Sequence, residues 1–156
     1  MQVFLPFKSP LETAKCLDKR RLHKQIVECY QIMKAIKGES QAWKNHPICK
    51  MYKDNLKFLE AYTKTLELYK ELSNFLQTNI QSDLNLQDRA ERMNKEALSL
   101  LPSFITEEYC DIMKRRLYTK NNNYYSQFAE LGECDYNLYF VDGEWWKYIN
   151  GKKIQL

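Results

Sequence analysis

Glycine and proline are scarce in this chain, four of each among 156 residues. So few of either argues against a loop-rich or disordered polypeptide. No apolar run approaches eighteen residues, so no membrane span is expected. The start of the chain lacks a basic flank, an apolar run and a small-residue cleavage site, so no secretory signal is expected either. Histidine occurs twice, and the five cysteines (Cys16, Cys29, Cys49, Cys110, Cys134) form no CxxC pair. An odd number of widely spaced thiols fits a reduced, intracellular protein and gives no support to a zinc site. No metal and no cofactor are therefore expected.

What is present is ordinary for a soluble globular domain, with 44% hydrophobic and 28% charged residues. The length suits one domain with a proper core. The net charge of +4 is unevenly distributed. Residues 1–57 carry 12 Lys/Arg against 5 Asp/Glu, residues 58–112 carry 5 against 10, and residues 113–156 carry 7 against 5. A basic first third and a second basic patch at Lys114-Arg115-Arg116 could form the two sides of a cleft for a phosphate backbone. An acidic protein partner would be served equally well.

Ser9-Pro10-Leu11-Glu12 is a helix start, with a Ser cap, Pro in the first turn and Glu three residues on. A helix is expected from there to Lys37, bent near Asp18 and stopped by Gly38. A second is expected from Asn45-His46-Pro47 to about Phe75, where apolar residues recur at spacings of three and four. Thr78 to Asn85 reads as irregular. A third helix covers Leu86 to Leu100, and a fourth, capped by Thr106, runs from Glu107 to about Tyr118. The Asp142-Gly143 and Asn150-Gly151 pairs suit two-residue hairpin turns, so the end of the chain reads as a small hairpin or three-stranded meander. The expected architecture is a single-domain, all-α fold over 1–135 with a β-hairpin extension, 136–156, packed on it.

Three features stand out chemically. On the first helix Arg21, Gln25 and Glu28 fall at i, i+4 and i+7 as one polar stripe, beside an apolar stripe of Leu22, Ile26, Cys29, Met33 and Ile36. A carboxylate beside cationic and amide groups suits chemistry on an anionic polymer, although the pattern alone favours a solvated face with Glu28 paired to Lys24 or Arg21. Trp43-Lys44-Asn45-His46-Pro47 sets an aromatic ring, a cation and a histidine at a helix start, where His46 could also serve as cap or core. Lys114-Arg115-Arg116, Lys120 and Tyr124-Tyr125 combine basic residues with paired tyrosines, fit for backbone contact and stacking unless the tyrosines are core.

The run Leu17 to Glu28, followed by Trp43 to Pro47 and Met51-Tyr52, resembles the pyrimidine-dimer DNA glycosylases of the phage endonuclease V type and their bacterial relatives. Met1-Gln-Val-Phe-Leu-Pro6 resembles the start of those bacterial relatives, and Leu117 to Tyr125 resembles the family's terminal basic-aromatic segment. The resemblance implies a compact helical fold of the endonuclease V type and an enzyme that removes a damaged pyrimidine, then nicks the abasic strand as an AP lyase. It implies an α-amine nucleophile, here that of Met1 (or of Gln2 if Met1 is removed), and a key glutamate, here Glu28. Gln2 is bulky and of a kind that leaves Met1 in place. The imine route needs no metal. Arg20, Arg21, Lys24, Gln25, Lys44, Asn45, His46, Lys114, Lys120, Tyr124 and Tyr125 are the expected contacts to damaged double-stranded DNA. A monomer in the cytoplasm, nucleoid or nucleus, encoded by a cell or by a virus, is expected. A family member retuned to another modified base, a catalytically silent duplex-binding module and a helical protein-interaction domain are the alternatives.

Overall fold

Short polar side chains decide where the helices begin. The computed structural model describes residues 1–77 and 84–155. Ser9 accepts the Glu12 amide at 3.2 Å and starts helix α1, Pro10–Cys16. The single bent helix expected as far as Lys37 is in fact two. Leu17 is extended, and Asp18 caps α2, Lys19–Ile36, by accepting the Arg21 amide at 3.3 Å. An aspartate gains more as a cap than inside a helix, so the chain breaks there instead of bending. At the far end of α2 Gly38 takes a φ of +78°, with Gly38 N–H on Ala35 O and Glu39 N–H on Lys34 O. That is the paired-bond termination that only a residue tolerant of the left-handed region completes cheaply.

The second long helix is likewise divided, into α3, Pro47–Tyr52, and α4, Leu56–Gln77. The break falls at Asp54-Asn55, two residues whose side chains compete with the helical backbone. Helix α5 runs Leu84–Ser99. Of the irregular segment expected at Thr78 to Asn85, residues 78–83 lie outside the described residues, and Leu84 and Asn85 belong to α5. Helix α6, Glu107–Lys120, starts at Thr106, which accepts the Tyr109 amide at 3.2 Å. A 3₁₀ helix, Ser126–Leu131, follows; the sequence pattern carried no sign of it.

The end of the chain forms a three-stranded antiparallel sheet in the order β1 (Asn137–Val141), β2 (Glu144–Ile149), β3 (Lys152–Gln155). Both turns place two successive residues at positive φ: Asp142 (53°) with Gly143 (77°), and Asn150 (49°) with Gly151 (77°). This double left-handed turn matches the twist of the strands it joins.

Residues 1–5 do not lie on the surface of this assembly; they pass through it. Val3 and Leu5 are fully buried and Phe4 nearly so, in the same core as Leu22, Ile26, Cys29, Tyr62, Tyr109 and Met113. Leu138 and Tyr139 of β1 belong to that core too, so sheet and helices share it. A buried extended segment must find partners for its backbone polar groups. Four successive carbonyls find theirs on four different elements. Met1 O accepts from the Tyr139 hydroxyl at 2.6 Å, Gln2 O from the Gln25 amide at 3.2 Å, Val3 O from the Tyr109 hydroxyl at 2.8 Å, and Phe4 O from the Tyr62 hydroxyl at 2.6 Å. Gln2 adds two bonds with its own side chain, to Leu138 O at 3.1 Å and from Leu138 N–H at 3.0 Å. The N-terminus is thereby held from β1, α2, α4 and α6 at once.

Candidate active site

The arm brings the terminal amine to a small hollow of about 90 Å³ lined by Met1, Gln2, Phe4, Arg21, Lys24, Glu28, Arg116, Lys120 and Asn137. Glu28 projects into it from α2 with only 15% of its side chain exposed, and the Lys24 ammonium lies 3.7 Å from its carboxylate. Arg21, Lys24 and Lys120 also line a neighbouring hollow of about 290 Å³, together with Asp18, Arg20, Asn121 and Tyr125. The two hollows share that cationic wall, so the amine and Glu28 sit at one end of a basic groove between α2 and the end of α6.

The electrostatics of this end favour a neutral amine. Burial lowers the α-amine pKa from its ordinary 8.0; Glu28 opposes the shift, and Lys120, Lys24 and Arg116 add to it. A larger neutral fraction at physiological pH makes a better nucleophile. Desolvation and the neighbouring Arg21, Arg116 and Lys24 bring Lys120 down to about 8, with Glu28 working the other way. His46 is lowered to about 4 by burial and by the terminal ammonium it faces. It stands neutral, with Nδ1 accepting the Ile48 amide at 3.0 Å as the cap of α3. Its ring meets Tyr139 edge-on at 5.6 Å on one side and Trp43 at 5.6 Å on the other.

Eight of the residues expected to contact DNA divide into three groups. Arg20, Arg21, Lys24 and Lys120 line the groove. Lys44 and Asn45 are exposed in the turn before α3, and Tyr124 is 52% exposed. Lys114 lines neither hollow; its ammonium pairs with Asp111 at 3.5 Å and lies over the Phe7 ring at 5.1 Å.

Two of the expected contacts have side chains engaged within the fold. Gln25 is 1% exposed and spends its amide on the arm, accepting Phe4 N–H at 2.7 Å and donating to Gln2 O. The polar stripe turns inward at that position because the buried arm needs both a donor and an acceptor there. Tyr125 is 1% exposed, stacked on Phe128, with its hydroxyl bonded to the Asp18 carboxylate and accepting the Asp18 amide. It closes the α1–α2 corner and is not free to stack on a base.

Three residues of the site are missing from the set of contacts expected from the sequence. Arg116 stands one helical turn before Lys120, a spacing that puts both on one face of α6 and could have selected it over Lys114. It donates to Cys134 O at 3.1 Å and Asn137 Oδ1 at 2.8 Å, and its buried Nε–H has no partner among the described residues. Asn137 and Asn121 arrive through the sheet and the α6 cap, which no local pattern announces. Trp43 stands out in the sequence but not among the expected DNA contacts. It is 46% exposed and holds a φ of 65°, a conformation uncommon for a bulky residue.

All five cysteines are buried and free; burial raises Cys16 and Cys110 to about 11, Cys29 to about 12 and Cys49 above its ordinary value, so those four thiols are not poised as nucleophiles. No helix among the described residues is long and apolar enough to cross a membrane, and no group of three metal-ligating side chains occurs among them.

A half-buried amine and a carboxylate thus meet at the end of a cationic groove in a mostly helical protein. Residues 1–73 match the model of the pyrimidine dimer DNA glycosylase family, a stretch that holds the arm, α1 to α3 and most of α4, with Met1 and Glu28 inside it. The match supports the resemblance carried by Leu17–Glu28 and Trp43–Pro47, and with it a pyrimidine dimer DNA glycosylase in broad terms. The basic-aromatic segment of residues 117–125 lies beyond the matched stretch. Neither the curated proteins nor the solved structures contain a match.

Proposed function

We propose that the protein is a DNA glycosylase with AP lyase activity, acting on damaged pyrimidines, pyrimidine dimers foremost, through an imine on the Met1 α-amine. The observation that carries the reading is the sharing of one hollow by that amine and Glu28 at the end of a basic groove. The neutral amine attacks the sugar C1′, and the damaged base departs as the C1′–N bond forms. Glu28 stabilises the cationic character of the sugar in the transition state and handles the protons that move as the imine forms. The imine acidifies the C2′ proton; its loss expels the 3′ phosphate by β-elimination. Each step uses groups of this chain and of the DNA alone.

Arg20, Arg21, Lys24, Lys120 and Arg116 bind phosphates along the groove, which makes affinity salt-dependent. Lys44 and Asn45 extend that surface past His46. Trp43, beside them, supplies the exposed ring on which a displaced base stacks. A damaged duplex is easier to open than an intact one, so the cost of displacement falls where the lesion is.

The decisive experiment is incubation with abasic-site duplex and sodium borohydride, which reduces an imine to a stable cross-link. A cross-link on the N-terminal peptide is expected. Salt-dependent duplex binding without any cross-link would leave a silent DNA-binding module, and neither signal would leave a protein-interaction domain. Parallel incubations with dimer-containing duplexes and duplexes bearing other modified bases read out the lesion. Mass spectrometry of the N-terminus is the simplest check, because a blocked amine rules the route out.

A further inference from the structure

Three amines line the hollow that holds Glu28: the Met1 α-amine, Lys24 and Lys120. They are not equivalent. The Lys24 ammonium is 57% exposed and ion-paired with Glu28 at 3.7 Å. Lys120 has no carboxylate within 4.0 Å among the described residues. It ends α6 on the wall common to both hollows, so its side chain reaches the amine and Glu28 on one side and the larger cationic space on the other. A sugar aldehyde held in this hollow therefore lies in a space that Met1 and Lys120 both line.

Resting on the function proposed above, we propose that Lys120 is a second imine-forming amine of this site, one that acts on the aldehyde of an abasic deoxyribose from which the base has already gone. Its Nζ lone pair adds to the C1′ carbonyl carbon. The carbonyl oxygen takes up two protons and leaves as water, and a C1′=N bond remains. Loss of the C2′ proton, with Glu28 as the nearby base, places the electron pair in a C2′=C3′ bond as the C3′–O bond breaks and the 3′ phosphate departs. Water then hydrolyses the imine and restores the lysine, with no oxidant or reductant consumed. The lowering of this amine to about 8 leaves a usable neutral fraction in the physiological range, which an ordinary surface lysine lacks. The consequence is a division of labour: base removal depends on the chain terminus, whereas strand nicking at a pre-existing abasic site survives when the terminus is blocked or displaced.

The test uses the full chain, abasic duplex DNA, borohydride and peptide mapping of the cross-link by mass. In the protein as it stands, cross-links are expected on the N-terminal peptide and on the peptide holding Lys120, the share at Lys120 rising between pH 7 and pH 9. A chain with two residues appended before Met1 carries its α-amine out of the hollow. It should still cross-link, at Lys120 alone, and Lys120→Arg in that background should abolish the product while keeping a cation for phosphate. A cross-link confined to the terminal peptide at every pH would overturn the proposal and leave the Met1 route standing. The proposal fails equally if the extended Lys120→Arg chain still cross-links, because another lysine would then be responsible. No cross-link in any chain that binds duplex would remove both.

Discussion

The hydroxyl of Tyr139 donates to the carbonyl oxygen of Met1 at 2.6 Å, joining the first residue of the chain to one 138 positions away. Tyr139 lies on β1 opposite Trp146 of β2, and its ring is held edge-on by Tyr148 at 5.1 Å and by His46 at 5.6 Å. The terminal sheet is therefore part of the mounting of the amine, which gives this segment a function that its sequence does not reveal. Tyr139→Phe keeps the ring packing and removes the bond. A loss of about 1 kcal/mol of stability is expected. Single-turnover cross-linking to abasic DNA should slow by about tenfold, since a small misplacement of a reacting group is costly. Thermal melts and rapid-quench trapping measure the two effects. A slowed reaction in a protein of nearly unchanged stability would establish positioning; an unchanged rate would show that the other three carbonyl bonds suffice.

Gln25→Ala tests the reassignment of that side chain from DNA contact to arm clamp. It leaves Phe4 N–H and Gln2 O buried without partners, at a cost of roughly 2–4 kcal/mol for the two. Urea denaturation should show the loss, and the folded protein should bind duplex as tightly as before. Weakened binding at unchanged stability would return Gln25 to the DNA interface.

The helices, their caps and the Gly38 stop were legible because they are local: a Ser-Pro start, Thr106, and apolar residues at spacings of three and four all act within one or two turns. The breaks at Asp18 and Asp54-Asn55 were harder to read, since a periodic apolar stripe continues across a cap without a change in pattern. Glu28 and the groove cations could be picked out by residue type and helical face. The inward role of Gln25 and Tyr125 could not, because it is set by the arm at residues 1–5 and by Asp18, partners brought close only by the tertiary fold. Asn137 and Tyr139 reach the site through a sheet more than a hundred residues away from the amine in sequence, and no spacing rule links them to it.

Trp43 and the groove cations should separate in a salt titration. Trp43→Ala is expected to weaken binding to a duplex with an unpaired base by about tenfold, as loss of one stacked base does, with Trp43→Phe retaining most of the affinity. The slope of log affinity against log salt should stay the same in both. Arg20→Gln should instead reduce that slope by about one unit and weaken all duplexes alike. Fluorescence anisotropy over a range of salt concentrations distinguishes the two behaviours.

His46 makes stability acid-sensitive in a defined window. Its folded-state pKa is lowered to about 4 by burial and by the facing ammonium, whereas the unfolded chain takes up the proton near the ordinary 6.5. The unfolded state thus binds more protons between those values, and stability rises with pH across them. The contribution is fully present above about pH 6.5 and is lost as pH falls towards 4. His46→Asn keeps a capping side chain on α3 but does not titrate there. Melting temperature plotted against pH should lose part of its slope between 4 and 6.5 in this variant and be unaltered above.

Glu28 and the Met1 amine are coupled, and that coupling separates a chemical role for the carboxylate from a structural one. Burial lowers the amine while Glu28 raises it, so the rate of cross-linking on the N-terminal peptide should climb with pH, with its midpoint below 8. In Glu28→Gln the opposing influence disappears and the cations Lys120, Lys24 and Arg116 act unbalanced on the ammonium. The amine falls further, and the midpoint of the cross-linking profile should move to lower pH. Strand cleavage, which also needs the carboxylate for proton transfer, should be lost by about 10²-fold or more. Duplex binding should be largely spared, or slightly tightened, because a negative charge has left a groove that holds phosphate. A midpoint that stays in place would mean the carboxylate does not act on the amine, and equal loss of binding and cleavage would reduce Glu28 to a partner for Lys24.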